Sequence, residues 1–337
     1  MKKIIALILS AVLLIYYAPD IKKVFYEIKD FATTVIDEDV SSEDTKESDE
    51  EQEKSIEEDP QNFETIKIGD DLESVEKKVG KPTRIDESGY SFKWNVYNQF
   101  GEKFFMIGIE DKKVVALYSN YFNSEEINDL KINTSDIKSV RERYTPLEYF
   151  IKSNIKFLIQ SNQEYDIVSL NNNYITFFYD KFDDNKLTSY QVISQEVEDN
   201  SDVYKKETKE LIKSYELEIF DLANSTRMQK QMDKYLYSDK CSQVAKNHCK
   251  DMIEKKYFDH IDKDKKGPAD RMTDAGIDFQ FAGENIAAGQ LSAIYAHEGW
   301  MNSEGHRKNI LGKYKYIGVG VQFGGEYNVY YAQNFYR

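Results

Sequence analysis

Histidine is the residue type in this sequence best suited to chemistry near neutral pH, and all four histidines lie between positions 248 and 306. An imidazole can carry a proton or, when neutral, bind a metal ion. The sequence contains no Gly-x-Ser-x-Gly elbow and no His-Glu-x-x-His helix, the patterns of a nucleophilic serine and of a zinc peptidase. We therefore expect any chemistry to come from histidines, together with carboxylates, in the carboxy-terminal part of the chain.

Two of these histidines, His248 and His297, have the spacing of core residues. His248 is four residues from both Val244 and Met252, so all three lie on one apolar stripe of a predicted helix. His297 has apolar neighbours at similar spacing. We interpret both as packed side chains rather than ligands.

The two cysteines, Cys241 and Cys249, do not indicate a disulfide or a redox pair. They are eight positions apart, which is about 12 Å along a helix and too far for a disulfide bond. Both fall on the apolar stripe of the predicted helix, where a free cysteine behaves as a small buried hydrophobe. We predict two free, buried thiols.

Hydrophobic periodicity predicts the elements that must position the histidines. The predicted helices lie near 208–224, 238–256, 268–275 and 290–302, and the predicted strands lie near 281–287, 315–323 and 328–336. Helices that cover a small, largely antiparallel sheet make an α+β domain.

Five motifs occur in order in this part of the chain: Phe258-Asp259-His260, Gly283-Glu284-Asn285-Ile286-Ala287, the run from Trp300 to Leu311, Gly318-Val319-Gly320-Val321 and Tyr331-Ala332-Gln333-Asn334-Phe335. Together they resemble the CAP superfamily of cysteine-rich secretory, antigen 5 and pathogenesis-related 1 proteins. The similarity covers about residues 216–337, which we predict to be one domain. It implies an α-β-α sandwich, the CAP fold.

The resemblance also implies a cleft that gathers two histidines and two glutamates. His260, Glu284 and His306 match three of these positions. These three residues are therefore the candidates for catalysis or ligand binding, and His260 and His306 are the candidate metal ligands.

The position of the second glutamate departs from the family pattern. Counted from Trp300 in the family's register, it is occupied by Ser303. Glu304, one residue later, is the first candidate for the missing carboxylate. Glu298 is another candidate, because it shares a helix stripe with neighbouring apolar residues.

Such a cluster allows three kinds of site. Two histidines with a carboxylate suit Zn²⁺ or a similar divalent cation and leave a position for water. Without a metal, histidine and glutamate could act as general acid and base. The remaining interpretation is that His260 and His306 are hydrogen-bonded residues that order the loops.

The amino terminus, residues 1–25, is predicted to be a signal peptide or a signal-anchor. Lys2 and Lys3 precede a mostly apolar run over positions 4–18, as in export signals. The run is shorter than the roughly 20 residues that span a bilayer comfortably. Because Tyr16 stands where cleavage needs a small residue, we favour an uncleaved anchor, with most of the chain on the extracellular face of the membrane. The chain would be secreted if the segment were removed.

Residues 26–60 are predicted to be an amphipathic segment followed by a disordered acidic linker. Thirteen acidic residues and two lysines lie between positions 37 and 59, and like charges extend such a segment. The whole chain has 337 residues, 45 Lys+Arg, 60 Asp+Glu and a net charge of −15. It lacks the basic footprint of a nucleic-acid binder, so we expect no nucleic-acid partner.

The middle region, residues 61–200, contains an internal repeat. A short strand, a helix and a turn at 66–82 return at 130–146, and several strand-like runs follow each helix. Each copy is predicted to pack one helix on a small antiparallel sheet. The region has no histidine or cysteine and resembles the CAP-associated amino-terminal domain of exported Gram-positive proteins. An interaction or spacer role is expected.

The sequence is consistent with two functions. The first is a cell-envelope binding or scaffolding module, whose cleft takes a divalent cation, a peptide, a lipid or a protein, and which contacts the membrane through its amino-terminal segment. The second is a metal-assisted, peptidase-like hydrolase that uses the same cleft. It is also open whether the middle region is the working part and the carboxy-terminal domain only supports it.

Overall fold

The computed structural model describes residues 9–10, 66–98, 104–120, 126–127, 130–152 and 155–337. Apart from the two-residue strand β1, Leu9–Ser10, the predicted signal-anchor and the acidic linker lie outside the described residues. In the described ranges, no helix is both long enough and apolar enough to cross a membrane.

The amino-terminal domain is built on one antiparallel sheet of seven strands, in the order β10-β11-β12-β5-β4-β3-β2. The domain contains these elements in chain order: α1 Leu72–Val79, β2 Arg84–Glu87, β3 Lys93–Tyr97, β4 Phe105–Glu110, β5 Lys113–Ser119, β6 Glu126–Ile127, β7 Leu130–Lys131, α2 Ile137–Arg141, β8 Tyr149–Lys152, β9 Ile155–Gln160, β10 Tyr165–Leu170, β11 Asn173–Asp180, β12 Lys186–Ser194 and α3 Gln195–Asn200. β8 and β9 form a separate hairpin, and β1 pairs with β9.

The two copies of the predicted repeat occupy equivalent places in this sheet. The Leu72 N–H at the start of α1 donates to the Lys112 carbonyl at 2.9 Å, and the Ile137 N–H at the start of α2 donates to the Asn185 carbonyl at 3.0 Å. The antiparallel strands of the two copies join into one sheet, because β5 of the first copy pairs with β12 of the second. Pairing these edges removes two unpaired strand edges, which are a liability in a small sheet.

The carboxy-terminal domain places helices on both faces of a four-stranded sheet with the order β13-β15-β16-β14. Its elements are α4 Lys209–Gln229, β13 Leu236–Tyr237, α5 Asp239–Glu254, α6 Pro268–Asp274, β14 Ala282–Ala288, α7 Ala293–Met301, α8 Glu304–Ile310, β15 Tyr316–Phe323 and β16 Val329–Tyr336. The seven elements predicted from periodicity are present within a few residues. The periodicity missed α8 and the two-residue β13.

Side-chain alternation along β15 explains the α-β-α layering. Gly318 and Gly320 face α5, and a Cβ at either position would overlap the main chain of that helix at Cys241 and Ala245 respectively. Only glycine permits such a close approach. Val319, on the opposite face, lies in the buried cluster that includes residues of α4, α7 and α8. The sheet is therefore covered on both sides.

The two domains share a buried apolar cluster. Leu222 of α4 and Ile294 of α7 lie in one cluster with Phe92 and Phe178 of the amino-terminal domain, and all four are fully buried. Burial of a large apolar side chain contributes about 1.5–3 kcal/mol. The domains are thus held together by the same hydrophobic effect that stabilises each of them.

Polar contacts add to this junction. Arg84 of β2 donates to Asp86 on its own strand at 2.7 Å and to Asp221 of α4 at 2.6 Å. Arg307 of α8 forms two parallel hydrogen bonds with Asp180 of β11, at 3.0 and 2.8 Å. Such bidentate pairs fix orientation as well as adding stability.

Candidate functional site

Glu284, on β14, is the buried centre of the candidate site. Its carboxylate accepts a hydrogen bond from His260 Nδ1 at 2.9 Å and one from Arg271 Nη2 at 2.7 Å. Burial alone would raise the pKa of Glu284. The hydrogen bond from His260 and the charges of His248, Arg271 and His260 outweigh burial, and the net effect lowers its pKa. Glu284 is therefore ionised and fully partnered.

Arg271, on α6, supplies the counter-charge and was missed in the sequence. Besides Glu284, its guanidinium donates to the carbonyls of His260 at 3.0 Å and Lys266 at 2.8 Å. It thereby ties the loop that carries His260 to the sheet. A glutamate predicted on a buried strand requires a cation, and that requirement was the signal that could have identified Arg271.

His306, on α8, is half-buried and presents a neutral imidazole. Its Nδ1 is buried and has no hydrogen-bond partner in the structure. Burial, followed by the charge of His260, lowers the pKa of His306 to about 4. No hydrogen bond joins the His260 and His306 rings within the described residues, so the two imidazoles are electrostatic neighbours rather than a bonded pair.

Two asparagines hold His306 beside Glu284. Asn285, the next residue on β14, donates to the His306 carbonyl at 3.1 Å. Asn309 of α8 donates to the Asn285 side chain at 2.9 Å and to the Glu284 carbonyl at 3.1 Å. These bonds dock the short α8 helix on the strand. Both asparagines therefore brace the main chain through bonds from their side-chain amides to carbonyl groups.

The second carboxylate of the family pattern is not supplied in the described part of the cleft. Ser303 is buried just before α8, whereas Glu304 is exposed on the first turn of α8 and its side chain makes no hydrogen bond to any described residue. No contact among the described residues supports the prediction that Glu304 is the second glutamate of the cleft. Across the described ranges, no group of three or more His, Cys, Asp or Glu side chains is arranged to hold a metal ion.

Glu298, the other candidate for the second carboxylate, lies at the contact between the two domains. It accepts hydrogen bonds from Ser189 at 2.6 Å, Thr188 at 3.3 Å and Tyr118 at 3.4 Å, all on the sheet of the amino-terminal domain. Burial raises its pKa to about 7, against the opposing effect of these hydroxyls. We therefore correct its assignment from the cleft to the contact between domains.

The two histidines predicted to be core residues are buried. His248 Nε2 donates to the Asp259 carbonyl at 3.0 Å and lies 3.8 Å from Glu284, so it also supports the site loop. His297 Nε2 lies 2.9 Å from the Thr226 hydroxyl, and burial lowers the pKa of His297 to about 3. Cys241 and Cys249 are likewise free and buried, as expected.

The described side chains do not make a complete zinc site. His260 uses Nδ1 to donate to Glu284, so only the neutral form of its ring has an Nε2 lone pair left for a ligand. A carboxylate behind a histidine is a common support for metal binding. His306 adds a second neutral nitrogen. The Glu284 carboxylate, however, is engaged by His260 and Arg271, whereas zinc sites usually have three or four protein ligands.

Family models match both domains. The CAP-associated N-terminal family matches residues 68–204, and the cysteine-rich secretory protein (CAP) family matches residues 220–335. The "Uncharacterized membrane protein YlbC" of Bacillus subtilis (strain 168) is 32% identical over 294 residues, which cover 80% of this chain and 82% of that protein. The chain therefore belongs to the CAP family, and the predicted resemblance and fold class are confirmed.

Other relatives share one or both domains. The "Uncharacterized protein YkwD" of the same Bacillus subtilis strain is 39% identical over 110 residues, or 32% of this chain and 43% of that one. A crystal structure of an extracellular protein containing an SCP domain from Bacillus anthracis str. Ames has 28% identity and a TM-score of 0.71, and covers 85% of this chain and 99% of its own.

A third structure shows the fold alone. The cysteine-rich secretory protein SAV1118 from Staphylococcus aureus subsp. aureus Mu50 has 16% identity and a TM-score of 0.67. It covers 80% of this chain and 91% of its own. At this identity, the likeness supports the architecture of both domains and carries no inference about activity.

Proposed function

We propose that this protein is an exported binding module of the cell envelope, whose His260 and His306 cleft takes a ligand without cleaving it. The observation that carries this proposal is the state of Glu284, which is buried and fully engaged by Arg271 and His260. A general base needs a carboxylate free to accept a proton. Glu284 instead orients the His260 ring, so the cleft offers two imidazoles for binding.

A labile divalent cation is one ligand of this cleft. In a zinc titration of the full chain at pH 7, followed by calorimetry, we expect binding in the micromolar range or weaker, because only two protein nitrogens are available. His306→Ala should abolish this binding. Glu304→Gln is the matched control on the same helix and should bind like the parent. Tight binding that survives His306→Ala would contradict the proposed ligand set.

The competing hydrolase is tested with the same proteins. We expect the full chain to leave an unfolded protein substrate such as denatured casein intact, with or without added zinc. Zinc-dependent cleavage that is lost in both His260→Ala and His306→Ala would replace the binding module with the metal-assisted hydrolase.

The proposed place of action is the outer face of the cell membrane, to which the amino-terminal segment anchors the chain. One relative is described as a membrane protein and a similar structure as extracellular, which supports this location. In fractionated cells, we expect full-length chain in the membrane fraction, accessible to protease added outside. Deletion of residues 1–25 should abolish export. Recovery of a shortened chain in the culture medium would favour the cleaved, secreted form instead.

A further inference from the structure

A second pocket lies at the junction between the two domains. It contains about 540 Å³ of empty space open to solvent, between one face of strands β10, β11 and β12 and the start of α7. None of the cleft residues Glu284, His260 or His306 lines it. It is therefore separate from the site of the proposed function and needs its own explanation.

The walls of this junction pocket are aromatic and held in place. Tyr295 of α7 packs edge-on against Tyr165 at 5.3 Å and against Phe178 at 5.2 Å between ring centroids. Tyr90 and Tyr174 also line the pocket. Rings fixed in this way present preformed apolar surface with hydroxyl groups at the edges, which lowers the entropy cost of binding a ligand.

The floor of the pocket carries an unpartnered polar group. Thr176 and Gln191 face each other in register on β11 and β12, and only 6% and 3% of their surfaces are exposed. The Thr176 hydroxyl lies 3.5 Å from the Tyr295 hydroxyl, whereas the Gln191 amide has no side-chain hydrogen bond to any described residue. Because Gln191 lines the pocket, its amide is available to a ligand or to water there.

The charged residues around the pocket restrict the kinds of ligand that it can bind. Glu198 of α3 is the one charged residue among the described lining residues, and it is hydrogen-bonded to the Tyr90 hydroxyl. Since none of the described lining residues is a lysine, arginine or histidine, none of them neutralises a phosphate or a carboxylate. An alkylammonium ion would suit the rings and Glu198, but it would leave the donor side of the Gln191 amide unsatisfied.

We propose that the junction pocket binds a neutral pyranose ring of a glycan. The flat C–H faces of a sugar ring pack on tyrosine rings, while its hydroxyl or acetamido groups both donate and accept. They can therefore form hydrogen bonds with the N–H and carbonyl groups of the Gln191 amide, with the Thr176 hydroxyl and with the Glu198 carboxylate at the pocket rim. The site is built by residues of both domains.

Saccharide titrations of the full chain test this inference. The probes are N,N′-diacetylchitobiose, cellobiose and maltose at millimolar concentration, followed by calorimetry, with choline chloride as the cationic comparison. We expect at least one disaccharide to bind, and Gln191→Leu to weaken that binding about 10-fold, the equivalent of one lost pair of hydrogen bonds. His306→Ala should leave saccharide binding unchanged, which separates this site from the proposed cleft.

Gln191→Leu also carries a control on folding. Because the amide makes no side-chain hydrogen bond to a described residue, replacing Gln191 with leucine, which is of similar size, should leave the melting temperature of the free protein unchanged or raise it. A lower melting temperature would mean that Gln191 has a structural role and would overturn the assignment. The inference also fails if none of the three disaccharides binds, if Gln191→Leu binds as tightly as the parent, or if choline alone binds.

Discussion

Replacing Arg271 by alanine is expected to lower the free energy of unfolding by about 3 kcal/mol, the low end of the range for breaking a buried ion pair. Only 11% of the Arg271 side chain and 1% of the Glu284 side chain are exposed. The substitution leaves the Glu284 carboxylate buried with His260 as its main partner, and it also removes the bonds from Arg271 to two loop carbonyls. Urea unfolding at pH 7 measures the change.

Two further variants show whether burial of the charge is the cause. Lys266→Ala breaks an ion pair with Asp274 in the same region, but both side chains there are at least half exposed, so we expect a loss of less than about 1 kcal/mol. Adding Glu284→Gln to Arg271→Ala should recover part of the lost stability, because no charge then remains unpaired. Equal losses for Arg271→Ala and Lys266→Ala would contradict the described electrostatics of the site.

The second large effect is a pH-dependent gain in stability on replacing Glu298 by glutamine. Burial raises the pKa of Glu298 to about 7 in the folded chain, from an ordinary value of 4.5. The folded state therefore holds this proton more tightly than the unfolded state does. The stabilising contribution is complete below pH 4.5 and is lost as the pH rises to 7. About 2.5 pKa units correspond to roughly 3 kcal/mol.

We expect Glu298→Gln and the parent to have similar stability near pH 4, and the variant to be more stable by up to about 3 kcal/mol at pH 8. Burial also raises the pKa values of other carboxyls near the contact between the domains, such as Glu218 and Asp221. Subtracting the parent's free energy of unfolding from the variant's at each pH leaves the contribution of Glu298. Glu304→Gln, at an exposed carboxylate, is the control and should follow the parent at every pH. Parallel curves for Glu298→Gln and the parent would refute the described environment of Glu298.

The elements of the carboxy-terminal domain were predictable because each has a strong local pattern. The helix α5 repeats apolar residues at helical spacing, and β15 and β16 alternate as half-buried strands do. The short α8 has only one buried residue, Ile310. Its position depends on the hydrogen bonds of Asn285 and Asn309, which are tertiary contacts that a local pattern does not contain.

The candidate site was predictable only in part. Ordered motifs identified Glu284, His260 and His306, and the structure joins the first two directly. The run from Trp300 to Leu311 and the neighbouring Glu298 were expected to supply residues to the cleft, but they divide between two surfaces. His306 faces the site, whereas Glu298 and Arg307 contact the amino-terminal domain. A sequence pattern cannot reveal this division, because it depends on how a second domain packs against the helix.

The repeat in the amino-terminal domain shows a similar limit. Each copy was recognised from its strand, helix and turn, because those signals are local. The pairing of β5 with β12, which makes one sheet from two copies, depends on contacts between residues more than seventy positions apart in the sequence, such as Leu117 and Val192. The pocket between the domains arises from the same long-range packing and left no signal in the motifs.

The neutral state of His306 in the cleft is tested most directly by a pH titration of its ring, followed by NMR of the imidazole nitrogens and assigned with His306→Gln. We predict that His306 stays neutral from pH 8 down to pH 5, because burial and the nearby His260 lower its pKa to about 4. A titration midpoint at or above the ordinary histidine value of about 6.5 would contradict a cleft in which His306 is a partly buried, neutral imidazole near His260.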